Sequence, residues 1–151
     1  MFASRWRAAW VAFVCAVGLV GAQNAYAQEE APRRVGLSLM VSHVSPLPGP
    51  IDPTIAAIHR RILDEFHYQS LHVLERHSME LQLQEVGGVV LPTGKRVELR
   101  PIAVSPTGVL IAVDIPGTLQ TDVRVPNRKA VVIGVDRYDD GKLILTLEPN
   151  Y

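Results

Sequence analysis

Hydrophobic and polar positions alternate along most of the chain. In "VGLSLMVSHV", residues 35–44, the two-residue period sets Val35, Leu37, Leu39, Val41 and His43 on one face of an extended strand. The same period returns in "YQSLHVLER", "MELQLQEV", "RVELRPIAV", "GVLIAVDI", "TLQTDVRV", "KAVVIGVDR" and "KLILTLEP". Between them stand "LPTG", "SPTG", "IPG", "VPNR" and "DDG". These are turn formers, because proline presets φ and glycine admits φ > 0. Short, regularly spaced strands joined by tight turns predict an antiparallel meander.

One stretch changes period. "SPLPGP", 45–50, is a loop, since three prolines deny regular backbone hydrogen bonding. Asp52 can then cap free amides, and Pro53 suits the first helical position. Ile55, Ile58, Ile62 and Phe66 follow at helical spacing, with Ala56 and Leu63 beside them. Arg60, Arg61, Asp64 and Glu65 fall toward water. This predicts one amphipathic helix at about 52–66. The expected fold class is therefore α+β: a predominantly antiparallel β meander, curled or folded into a sandwich, with one helix over an apolar face.

The chain start has a different signature. Arg5 and Arg7 precede the apolar run "AAWVAFVCAVGLVG", 8–21, and Ala25-Tyr26-Ala27 matches a small-x-small cleavage pattern. Residues 1–27 are expected to be a cleaved secretory signal peptide. The apolar run is about 14 residues, whereas a spanning helix needs roughly 20. No stable membrane insertion is expected after cleavage. "QEEAPRR", 28–34, reads as a flexible leader and 35–151 as a single domain. The expected location is periplasmic or secreted.

Loss of that segment changes the composition. Thirteen basic and fifteen acidic side chains remain, so no charge bias toward nucleic acid follows. Phe66, Tyr68, Tyr138 and Tyr151 are the remaining aromatics, too few for a base-stacking surface. Cys15 is the sole cysteine and leaves with the signal, which removes disulfides and thiolate metal sites.

Candidate chemistry centres on "HRRILDEFHYQSLHVLERH", 59–77, which holds four of five histidines. Paired helical zinc ligands stand three or four residues apart. His59 and His67 are eight apart, about 80° around a helix. His72 and His77, five apart, face opposite sides of a regular strand. Solvated or half-buried histidines are the expectation, and no metal site. Other motifs fall short too. "GLSLM", 36–40, lacks the second glycine of a nucleophile elbow. "LPTGKR", 91–96, lacks the glycine loop and following hydroxyl of a phosphate cradle. "DRYDDG", 136–141, lacks the ligand alternation of a calcium loop, and its Asp140-Gly141 marks a tight turn. Glu75, Glu80 and Glu85 at five-residue steps decorate wet faces. No catalytic set assembles, so neither an enzyme nor a cofactor is expected.

The segment "VRVPNRKAVVIGVDRYDDGKLILTLEP", 123–149, resembles the closing strands of bacterial secretin outer-membrane pores. Val125, Pro126, Val131, Val132, Ile133 and Gly134 match that family's Val-Pro-x-Gly stretch and apolar Val-Val-Ile-Gly-Gly run. Arg128 stands for its glycine, Ala130 for its threonine and Val135 for its second glycine. The chain is too short to hold a secretin's pore. The resemblance implies an envelope β-domain related to such machinery or working beside it.

The functional expectation is an exported, non-catalytic envelope domain, acting as a protein-binding or structural accessory module. Its partner would be another envelope protein or a second copy of itself, not nucleic acid. "TLQTDVRV", 118–125, is the most polar strand, and Pro126 ends it. Thr118, Gln120, Thr121, Asp122 and Arg124 form a candidate edge for strand addition, with an edge protected by its own charges as the equal alternative. The alternative is a periplasmic small-ligand or metal binder using His43, His67, His72 or His77. A hydrolase ranks below both.

Overall fold

The structure is a computed structural model that describes residues 34–55, 59, 60, 63 and 67–151. Eight strands follow in chain order: β1 (Arg34–Ser45), β2 (Ser70–Gln82), β3 (Gly87–Val90), β4 (Arg96–Ser105), β5 (Gly108–Ile115), β6 (Leu119–Val125), β7 (Val131–Tyr138) and β8 (Gly141–Asn150). They form two four-stranded sheets. Sheet A has the order β2-β1-β8-β7 and sheet B the order β3-β4-β5-β6. Every neighbouring pair is antiparallel.

The two-residue period explains the layering. Val35, Leu37, Leu39 and Val41 on β1 share one face with Leu143, Leu145 and Leu147 on β8. They meet Val97 and Leu99 of β4 and Val109, Ile111, Val113 and Ile115 of β5 in a single buried core. Two sheets with one apolar face each must stack to hide them. Each such side chain contributes about 1.5–3 kcal/mol on burial.

Strand β8 breaks the alternation, since Leu143 to Leu147 are buried on both faces. Ile144 points away from sheet B and joins Val44, Leu71, Ile55 and Leu63 in a second cluster. Ile55 and Leu63, from between β1 and β2, thus cover part of sheet A's outer face. A strand covered on both sides reads as a continuous apolar run, as "LILTL" does.

The irregular points have local causes. Register between β1 and β2 shifts after Val41, which leaves Leu74 as an extra residue in β2. Pro101 lies in β4 beyond the last pair with β3, where its missing N–H breaks no ladder. Its carbonyl accepts the Gln84 N–H at 2.7 Å. The β7–β8 turn sets Asp139 at φ 50°. Gly141 pairs with Tyr138 just after that turn, and a Cβ there would collide with the Val44 carbonyl.

The expected α+β class is corrected to an almost wholly antiparallel β fold in two sheets; the β-rich character itself holds. No helix is among the elements of the described residues. Ala56, Ile58, Arg61, Ile62, Asp64, Glu65 and Phe66, much of the expected amphipathic helix at 52–66, lie outside the described residues. Its expected start is a turn. Asp52 Oδ1 accepts the Thr54 N–H at 2.9 Å and the Thr54 hydroxyl at 2.6 Å. An aspartate bonding two residues onward serves a turn as well as a helix cap, so Asp52-Pro53 does not distinguish them. Two further expectations change. "YQSLHVLER" and "MELQLQEV" merge into the single strand β2, and the last strand lies between β1 and β7 rather than ending a simple meander. The expected signal peptide and most of the leader, residues 1–33, lie outside the described residues.

Candidate functional site

Two stacked sheets leave four edge strands, each offering a row of unpaired N–H and C=O groups. Three of them are blunted. Strand β3 is four residues long. Register between β7 and β8 breaks between Gly134 and Arg137, and Asp136 inside that break is held by Lys95 Nζ at 2.6 Å. Strand β2 bulges at Leu74 and is flanked by Pro50–Asp52. There the Leu71 N–H donates to the Pro50 carbonyl and the Asp52 N–H to the Leu71 carbonyl, both at 3.2 Å. Strand β6 has none of these devices. It pairs with β5 without interruption from Leu119 to Val125, and no described strand lies on its other side.

The five candidate edge residues divide by face. Gln120, Asp122 and Arg124 are exposed on the outer face of sheet B. Thr121 points the other way and is half-buried. Thr118 precedes the strand, where its hydroxyl accepts from Lys95 Nζ and lies 3.5 Å from Asp136 Oδ2. It belongs to a polar tie between the sheets rather than to the free edge. Arg124 Nη1 donates to Ser105 Oγ at 2.7 Å across an exposed surface. Beside β6, the outer face dips at Ala112, which lies between Arg100 and Asp122 in register. The depression, about 270 Å³, is lined by Glu98, Asp114, Gln120 and Asp122 together with Arg100. Three carboxylates face the Arg100 guanidinium, and Glu98 also pairs with Arg96 Nε at 3.4 Å, so the hollow is acidic by one charge.

The histidines do other work. His43 Nε2 lies 3.1 Å from the Tyr138 carbonyl and 3.3 Å from Asp140 Oδ1, and its ring meets the Tyr138 ring edge-on. Ser45 Oγ donates to Asp140 Oδ2 at 2.7 Å. Serine, histidine and aspartate are therefore adjacent, but the serine bonds the carboxylate and not the imidazole. This is not the chain of bonds that activates a nucleophile; it ties the β7–β8 turn to β1. His72 and His77 share a face, contrary to expectation, because the bulge at Leu74 restores their phase. His77 Nε2 lies 2.8 Å from Glu75 Oε2, and His67 is exposed in a turn at φ 58°. Among the described residues no three histidine, cysteine or acidic groups converge as metal ligands.

His59, within the segment between β1 and β2, corrects the expectation of solvated or half-buried histidines, being wholly buried. Its Nδ1 lies 3.1 Å from the Ile55 carbonyl and its Nε2 2.9 Å from Thr146 Oγ1. A carbonyl only accepts, so Nδ1 carries the proton, and in the neutral ring Nε2 accepts from the Thr146 hydroxyl. Burial lowers the imidazole's pKa from its ordinary value, partly opposed by the Ile55 bond. The Asp52 carboxyl is also lowered, by its two bonds from Thr54. The remainder of sheet A's outer face is an open polar groove of about 470 Å³, floored by Gly36, Ser38 and Ser78 between Glu80 and Glu148.

Sequence reasoning missed the His59–Thr146 bond, which joins residues far apart in the chain. A threonine inside the apolar run "LILTL" was its one visible trace. No helix of the described residues is long and apolar enough to cross a membrane. Comparisons with protein families, curated proteins and solved structures find no match to this chain.

Proposed function

We propose that this chain is an exported, non-catalytic domain of a cell envelope that binds another polypeptide by strand addition along β6. The observation that carries the reading is the contrast among edges. β3, β7 and β2 are shortened, broken or flanked, whereas β6 is regular and open along its length. Natural sheets blunt their edges against unwanted pairing, and β6, which carries charges but is neither shortened, broken nor flanked, keeps a main-chain edge that a partner of matching charge can pair with. An added strand would take its affinity from main-chain bonds and its selectivity from Gln120, Asp122 and Arg124. The signal-like residues 1–27 support export. The likeness of 123–149 to the closing strands of secretins supports a place beside secretion or pilus machinery.

A photo-crosslinking side chain at Gln120, in cells making the protein, tests this. The reading expects a discrete adduct from Gln120 and none from the same group at Leu47, which is also exposed but remote in sequence from β6. Equal adducts from both positions, or none from Gln120, would overturn it.

A further inference from the structure

We infer that the strand β6 accepts is β6 of a second copy, paired antiparallel about a two-fold axis through Val123. The inference rests on the strand-addition reading above and adds the partner's identity. Its ground is that β6 is complementary to itself. Pairing about Val123 sets Asp122 opposite Arg124 of the second copy, twice over. It also sets Thr121 opposite Val125. Opposite charges placed directly across a ladder favour a register, and like charges disfavour one. Pairing about Asp122 would instead put two aspartates face to face, so the charges select the axis. Pro126 falls opposite Gln120 in the chosen register and, having no N–H, closes the ladder at both ends. A two-fold contact of this kind is isologous and stops at two chains.

The depression beside the edge supplies the second argument. Asp122 and Arg124 stand on the outer face of sheet B, and neighbouring strands are spaced about 4.8 Å apart. An arginine one strand beyond Asp122 can therefore reach the acidic hollow at Ala112, where Glu98, Asp114 and Asp122 outnumber Arg100 and the Arg96 that pairs with Glu98. Within one chain, Arg124 turns the other way and donates to Ser105. That bond uses one of five guanidinium N–H groups and is exposed, so giving it up is a small obstacle. Joining two copies in this way would continue sheet B into eight strands across the axis.

The test is the molar mass of the purified protein in solution, for wild type, Asp122→Arg and Arg124→Asp, up to about 1 mM. Wild type is expected to reach twice the monomer mass as concentration rises. Each single reversal places like charges opposite each other and should stay monomeric. An equimolar mixture of the two variants should recover the doubled mass, because one chain then presents two arginines and the other two aspartates. A wild type that stays monomeric, a dimer that survives either reversal, or a mixture that stays monomeric would each overturn the inference. A monomeric wild type whose Gln120 still crosslinks to a different polypeptide overturns self-pairing alone. A monomer with no Gln120 adduct overturns the strand-addition reading as well.

Discussion

Ile144 and Ala112 sit at corresponding places, each on an inner strand and facing away from the opposite sheet. Ile144 is 3% exposed, under a cluster that includes Ile55 and Leu63. Ala112 floors an open hollow walled by charged side chains. The edges differ in the same sense. On sheet A, β2 is flanked by Pro50–Asp52 and β7 is broken. On sheet B, β6 is regular and open. Part of sheet A is thus spent on a second small core, whereas sheet B presents its surface and one edge to solvent. Surface with no internal partner is where an external one can act.

The contrast can be broken by substitution, and the largest effect should fall under the cover. Ile144→Ala should lower unfolding free energy by about 2–5 kcal/mol in denaturant titration, as expected for a buried branched side chain. Leu110→Ala, half-buried on sheet B's outer face, should cost well under half as much. Equal losses would mean that the two outer faces are not different. Thr146→Val comes next. It keeps the side chain's shape and removes the hydroxyl that bonds His59, leaving a buried acceptor unsatisfied at about 1–3 kcal/mol. No change in its melting temperature would show that the bond contributes nothing.

A pH series sharpens the comparison further. The folded protein holds the His59 pKa below its ordinary value of about 6.5, so the unfolded chain binds the proton more readily. The neutral-state advantage is fully present above that value and is lost as pH falls below it, toward the folded pKa. Wild type should therefore lose more melting temperature between pH 7 and pH 5 than His59→Leu does. Matching slopes would remove His59 from the acid response. The smallest stability effects belong to the edge. Gln120→Ala and Asp122→Ala should stay within about 0.5 kcal/mol of wild type, because both side chains are exposed. A larger loss would mean these residues hold the fold together rather than its partner.

Strands with one buried face were legible from their alternation, and β5 and β6 fall close to where "GVLIAVDI" and "TLQTDVRV" placed them. The Asp52-Pro53 signal misled because a cap and an aspartate turn use the same side-chain bond. The shared face of His72 and His77 was hidden because a bulge leaves no dependable mark in a sequence, and Leu74 looks like any other strand residue. The role of His59 was hidden because its partner Thr146 is distant in the chain. The polarity of β6 could be read directly. Its edge position could not, because strand order depends on β8 returning beside β1 and leaving β6 outermost.

Peptide-resolved hydrogen exchange, on the protein alone and bound to the polypeptide captured at Gln120, tests the central claim most directly. Main-chain bonding at a free edge protects the amides it engages. The account predicts slowed exchange concentrated in peptides covering 119–125, with the polar groove at Ser38 and Ser78 unchanged. Protection at that groove, with 119–125 exchanging as fast as before, would contradict it.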